Sequence, residues 1–184
     1  MRRRLALLAA FSVVVLGACS DDGSSATTEQ PDVTICTPSG TAQPDTDLPQ
    51  VGRIAEAVDA LEGALGAPPE FFEVNATARA VNLFVALSGG TIAQQWIYVD
   101  GGLTSTEGQA AQGGTFTADQ LAFDPTTVLA TVRDEVPDLV LQTFYVNGDG
   151  QGSVRYAVLG VAQCGGGLDI VVDGDGGIVS VDPL

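Results

Sequence analysis

The sequence predicts an α+β fold made of two tandem units, each a helix followed by antiparallel strands, with the helices on one face of the sheet. Two observations lead there. The first is an internal repeat: Phe72-Glu73-Val74-Asn75 precedes Phe144-Tyr145-Val146-Asn147 by 72 residues, and Val99-Asp100-Gly101 precedes Val172-Asp173-Gly174 by 73. The second is a change of hydrophobic period within each unit, from the 3.6 of a helix to the alternation of strands.

In the first unit, residues 51–108, apolar side chains at Val51, Ile54, Val58, Leu61 and Leu65 form a helical stripe. Asp47 is placed to cap its start near Pro49, and Gly66 with Pro68 and Pro69 ends it. Strands are expected over 71–76, over 80–87 and over 92–100, with Val81, Leu83, Val85 and Leu87 alternating onto one face and Ser88-Gly89-Gly90 as the turn. A short polar strand over 103–107 follows Gly101-Gly102.

Residues 109–123 read as a connecting loop rich in Gly, Ala and Gln. The second unit, 124–184, opens on Asp124-Pro125, the aspartate as cap and the proline in the first turn, with Val128, Leu129, Val132 and Val136 on one face. Pro137 stops this helix. Strands are expected over 139–147, 154–163, 168–173 and 178–182.

The N-terminus carries a different signal. Arg2, Arg3 and Arg4 precede an apolar run over 5–16 that is broken only by Ser12. As a helix this run rises roughly 18 Å, too short for a hydrocarbon core of about 30 Å, so it reads as a signal peptide over 1–18. Its end, Leu16-Gly17-Ala18-Cys19, resembles the lipobox of bacterial lipoproteins. That resemblance implies cleavage before Cys19, acylation of its thiol, and a protein held on the outer face of the cell membrane by its acyl chains. Residues 19–50, rich in Ser, Thr, Asp and Pro, then read as the lipidated terminus and a flexible tether.

Composition narrows the function. The chain has 7 basic residues, 23 acidic ones and no histidine. Loss of the three N-terminal arginines leaves four basic residues against 23 acidic, a net charge of −19. Such a surface repels nucleic acid and anionic headgroups, so the expected hold on the membrane is lipid and not charge. With Cys19 committed to lipid, Cys36 and Cys164 form an even pair in an oxidising compartment. One disulfide is expected, with two free thiols as the alternative. It would close a 128-residue interval and stabilise by about 4 to 5 kcal/mol in the chain-entropy picture.

Catalytic and metal signals are missing. Without histidine there is no Ser-His-Asp or Cys-His arrangement, and no C-x-x-C, P-loop or G-x-S-x-G occurs. Asn147-Gly148-Asp149-Gly150-Gln151-Gly152 and Asp173-Gly174-Asp175-Gly176-Gly177 lack the spacing of a calcium loop and read as hairpin turns. No cofactor and no metal are expected, and the chain reads as a non-enzyme. A carboxylate hydrolase would need two acids facing each other across a groove, about 5 to 10 Å apart.

The strand that ends in Val172-Asp173-Gly174-Asp175-Gly176-Gly177-Ile178-Val179 resembles the PepSY module of secreted bacterial proteins. Two such units in tandem are similar to the β-lactamase inhibitory protein architecture, whose joined sheet presents a concave face to a protein partner. The disulfide that family carries within each repeat is missing here, so its inhibitory function does not carry over.

A sheet with helices on one side leaves the other for a partner. Phe84, Trp96 and Tyr98 are the candidate partner-binding residues if they share that side; the alternative is that Trp96 and Tyr98 belong to the core. Together these features imply a lipid-anchored, non-catalytic binding protein of the bacterial envelope, with a protein or cell-envelope partner. The alternative is a carrier of an apolar or lipid ligand in a cavity between helices and sheet, for which the abundance of Val, Leu and Ala speaks.

Overall fold

Alternating apolar segments in this chain pair into one antiparallel sheet. A computed structural model describes residues 37 and 41–184. The strands are β1 (Glu70–Thr77), β2 (Val81–Leu87), β3 (Ile92–Val99), β4 (Gly102–Ser105), β5 (Gln109–Ala110), β6 (Phe116–Thr117), β7 (Leu139–Gly148), β8 (Val154–Ala162), β9 (Gly167–Val172) and β10 (Ile178–Pro183), with helices α1 (Ile54–Leu65) and α2 (Val128–Glu135). The sheet order is β10-β9-β8-β7-β1-β2-β3-β4, with β5 beside β3 and β6 beside β1.

Directly opposite residues of an antiparallel pair share a face, so the register assigns every side chain. Along the path, Val81 opposes Ala76 on one side and Tyr98 on the other, and Leu83 likewise opposes Val74 and Trp96. In the other half Val146 opposes Val74 and Tyr156, and Phe144 opposes Ala76 and Val158. This first face is buried: Val74, Ala76, Val81, Leu83, Phe144, Val146, Val158 and Ile170 are at 0 % exposure. Ile54, Ala57, Val58 and Leu61 of α1, and Val128, Leu129 and Val132 of α2, join the same apolar cluster.

Three details differ from the sequence expectation. Leu65, at the end of the predicted stripe, is 42 % exposed. It is the last helical residue, because Gly66 takes a left-handed φ of 75° and donates its N–H to the Glu62 carbonyl. Asp47 does not cap α1 but sits in a short 3-10 turn, Asp45–Asp47. The helix entry is held by Gln50 instead, whose N–H reaches the Thr77 carbonyl at 2.9 Å and whose Nε2 donates to Ala78 at 2.8 Å. Finally, the expected loop contributes β5 and β6, and Phe116 on β6 is buried with its ring centroid 5.8 Å from that of Phe71.

The chain also packs earlier than the predicted tether boundary at Gln50. Gln43 Nε2 donates to the Leu141 carbonyl at 2.8 Å, and the Leu141 N–H donates to Gln43 Oε1 at 2.7 Å. Leu141 borders a β-bulge in β7, beyond the last β1 partner at Thr143, so a side-chain amide substitutes for a missing strand residue. Arg133 of α2 holds this segment too, bonding Asp45 at 2.8 Å and the Gln43 carbonyl at 3.1 Å.

Turn chemistry sets the hairpins. Asp100 and Gly101, both at positive φ, form the two-residue turn between β3 and β4. The β7–β8 and β9–β10 turns share one device: Asp149 Oδ1 accepts the N–H groups of Gln151 and Ser153, and Asp173 Oδ1 those of Asp175 and Gly177. Asp124 begins α2 in the same manner, accepting from the Thr126 N–H at 2.8 Å and hydroxyl at 2.7 Å.

Gly176 tests the contact between the last turn and α2. Its φ is +90°, and an added Cβ would lie 2.4 Å from the Val128 carbonyl oxygen. Gly176→Ala is expected to destabilise by about 2 kcal/mol or more in urea unfolding. Gly152→Ala, at φ +92° with open space around it, is expected to cost only the left-handed penalty of about 1 kcal/mol.

Hydrogen bonds from Thr126 lower the Asp124 pKa, and those from Ser153 and Gln151 lower that of Asp149. A lowered folded-state pKa stabilises above the unfolded value and loses that contribution as pH falls through the folded one. The unfolding midpoint should therefore drop on acidification below about pH 4. Asp124→Asn, which keeps an acceptor but does not titrate, should make that drop shallower in a pH series of thermal melts.

Candidate functional site

The second face of the sheet carries the side chains of opposite parity, and it is polar near its centre. Asn82 opposes Asn75, Asn75 opposes Tyr145, and Glu73 opposes Asn147. Four amides line up across four neighbouring strands. Gln95 Nε2 of β3 donates to Asn82 Oδ1 at 3.1 Å; Asn82 Nδ2 of β2 donates to Asn75 Oδ1 at 2.8 Å; Asn75 Nδ2 of β1 donates to Glu73 Oε1 at 2.6 Å. From the other side Asn147 Nδ2 of β7 reaches Glu73 Oε2 at 3.0 Å. The row thus ends from both directions on one carboxylate.

Beside this row lies a second network. Tyr145 donates its hydroxyl hydrogen to Asp169 Oδ1 at 2.6 Å, while Arg155 donates to the Tyr145 oxygen at 2.9 Å and to Asp169 Oδ2 at 2.8 Å. The guanidinium also sits over the tyrosine ring, 5.6 Å from its centroid. Burial, and then the bond to Asp169, push the Tyr145 pKa up; Arg155 opposes them. At pH 7 the group is a neutral phenol between an ion pair. A depression of about 340 Å³ lies between the networks, lined by Glu73, Asn75, Thr77, Thr143, Tyr145 and Leu159.

The predicted aromatic trio does not form one patch, which is a correction. Paired residues of β2 and β3 have numbers of opposite parity, so Phe84 opposes Gln95 while Trp96 opposes Leu83 and Tyr98 opposes Val81. Phe84 is therefore on the second face, and Trp96 and Tyr98 are on the first. Tyr98 is 3 % exposed and donates to Glu56 of α1, with Arg53 over its ring at 5.3 Å. Trp96 packs against the core cluster. Alternation along each strand was legible, but which alternating set of β3 shared a side with Phe84 required the register.

Asn75, Asn82, Gln95, Asn147, Tyr145, Arg155 and Asp169 were not singled out from sequence. The signal for the central ones was present: the Asn closing each repeated motif, Asn75 and Asn147, lands on this face.

Cys164 lies in the turn between β8 and β9 and is disulfide-bonded. Its expected partner Cys36, and Cys19 with the whole signal segment, lie outside the described residues. Among the described residues no group of three or more His, Cys, Asp and Glu could hold a metal ion, and no helix is long and apolar enough to cross a membrane. A second depression, about 270 Å³, is bordered by Val51, Ile54 and Val58 near α1 and by Leu121, Phe123 and Pro125.

Arg155 and Asp169 are expected to couple. Their side chains are 35 % and 19 % exposed, so a double-mutant cycle with Arg155→Ala and Asp169→Ala should give a coupling energy of about 1 kcal/mol, reduced in 1 M salt. A coupling of zero would mean that Tyr145 alone positions both.

No protein-family model matches this chain, and neither the curated proteins nor the solved structures contain a significant match.

Proposed function

We propose that the chain is a non-catalytic binding protein, anchored outside the cytoplasmic membrane by acyl chains on Cys19, that takes its partner on the second face of the sheet. The observation that carries this reading is the contrast between the two faces. One side of the strands supplies the buried apolar cluster together with the inner residues of both helices. The other carries an ordered polar network across four strands, with none of the apolar side chains Phe84, Ile97, Leu159 and Val171 belonging to that cluster. Ordered polar groups beside apolar ones are what a recognition surface needs.

The same reading makes the two halves tandem repeats, with both helices on the first face. The register supports it: Val74 opposes Val146, its equivalent at the 72-residue interval, so the halves meet about a local two-fold. Buried Ala57, Val58 and Leu61 have the same spacing as buried Val128, Leu129 and Val132. The equivalence breaks in one place. Leu83 opposes Trp96, and its counterpart Tyr156 opposes Val172, so Trp96 and Val172 correspond at an interval of 76. A longer β8–β9 turn, the one holding Cys164, and an earlier turn out of β9 restore the interval of 73 at Val-Asp-Gly.

The carrier reading rests on the depression beside α1. At about 270 Å³ it falls just below the roughly 300 to 1,000 Å³ of small-molecule sites, which favours the sheet face.

Two measurements test the proposal. Full-length protein should partition into the detergent phase of a membrane extract, and Cys19→Ala should move it to the aqueous phase; unchanged partitioning removes the anchor. A photo-crosslinking residue at Asn82 should yield an adduct in intact cells that one at Asp134 on α2 does not. Equal labelling at both positions would remove the face. Native mass spectrometry showing co-purified lipid would favour the carrier.

A further inference from the structure

Resting on that reading, we infer that the second face binds a neutral polysaccharide chain. The hydrogen bonds of the row use one N–H of each amide: Gln95 to Asn82, Asn82 to Asn75, Asn75 and Asn147 to Glu73. Every amide carries two N–H donors and an oxygen with two acceptor sites. Each therefore keeps a donor and an acceptor after the row is made, side by side on a rigid plane. A hydroxyl group donates and accepts at once, so a row of such amides matches a chain of polyols, one amide per strand. The mutual bonds hold the amides in place before the ligand arrives, which lowers the entropy lost on binding.

Phe84 supplies the second element. It opposes both Glu73 and Gln95, so an aromatic ring lies directly against the row, half-buried and outside the core cluster. The apolar C–H faces of a pyranose or furanose ring are suited to such a surface. Tyr145, Leu159 and the hydroxyl-bearing Thr77 and Thr143 continue it through the adjoining depression.

Charge decides between classes of partner. The chain's net charge is −16, and Arg155, the cation placed on this face by its pairing with Asn147, is neutralised by Asp169. Phosphate- or uronate-bearing polymers would meet repulsion from the net negative charge, and the arginine set into this face is already paired. A basic polypeptide would seek an unengaged carboxylate, but Asp169 is paired with Arg155 and Glu73 is held by the amides of Asn75 and Asn147. Asp182, on the edge strand β10, lies away from the amide row. An uncharged, hydroxyl-rich chain fits what remains.

Affinity electrophoresis of the full-length protein in detergent, through gels containing deproteinised envelope polysaccharide of the producing bacterium split into neutral and anionic fractions, tests this. The neutral fraction should retard the protein and the anionic fraction should not. Phe84→Ala and Gln95→Ala should each weaken retardation by about tenfold. Both lie outside the buried cluster, and circular dichroism with a thermal melt confirms their fold; Asp134→Asn should change nothing. Retardation by neither fraction, by the anionic one alone, or undiminished in both folded variants overturns the inference. In that event a face-specific protein adduct at Asn82 would leave the binding face standing with a different partner, while its absence would remove both.

Discussion

The pairing of β1 with β7 is the contact on which the rest of the molecule depends. Five residue pairs, from Glu73–Asn147 to Thr77–Thr143, join a four-strand half to a four-strand half. Without it each half would end in an unpaired edge carrying Val74 or Val146, side chains that are fully buried in the sheet. The same pairs create the polar face, because Glu73 receives Asn75 from its own strand and Asn147 from the other half. Core and candidate site are therefore two sides of one ladder: a one-residue slip would exchange them.

That seam is short for the sheet it joins, and the chain reinforces it at both ends. Beyond Glu73, β6 takes over beside β1, with Phe116 opposite Phe71, and Gly114 bridges to Gly148. The bridge leaves no room for a side chain: a Cβ on Gly114 would fall 2.1 Å from the Gly150 nitrogen. Beyond Thr77, the Gln43 amide completes the ladder at Leu141. The connector and the segment leading into α1 are thus structural parts of the sheet rather than links between finished halves.

Much of this was legible in the sequence, and the limits are physical. All eight strands of the main path and both helices sit within a few residues of their predicted positions, because alternation, helical period and Asx/Gly turns are local signals. Strand partners are not local. The β5 and β6 strands are two residues each, too short to show a period, and only their neighbours make them strands. Gln43 was assigned to a tether because nothing in its surroundings signals burial; its role depends on a bulge about a hundred residues away. The aromatic trio failed for the same reason, since Trp96 and Phe84 alternate correctly within their own strands and part company only through the β2–β3 register.

The register also explains why a polar row can sit at the middle of a sheet. An isolated buried amide would cost more than it returns, but here one N–H of each amide finds an acceptor, on the neighbouring strand for Gln95, Asn82 and Asn147 and on its own strand for Asn75, and the series ends on the Glu73 carboxylate. Among the described residues Glu73 makes no salt bridge; two amide N–H groups hold it instead. Such an arrangement binds the four strands together through their side chains as well as their backbones. It also fixes the direction of every amide, since a flip of Asn75 would set its NH₂ against that of Asn82 and its oxygen against Glu73. A face whose donors and acceptors are set in advance by the fold presents one fixed pattern to solvent.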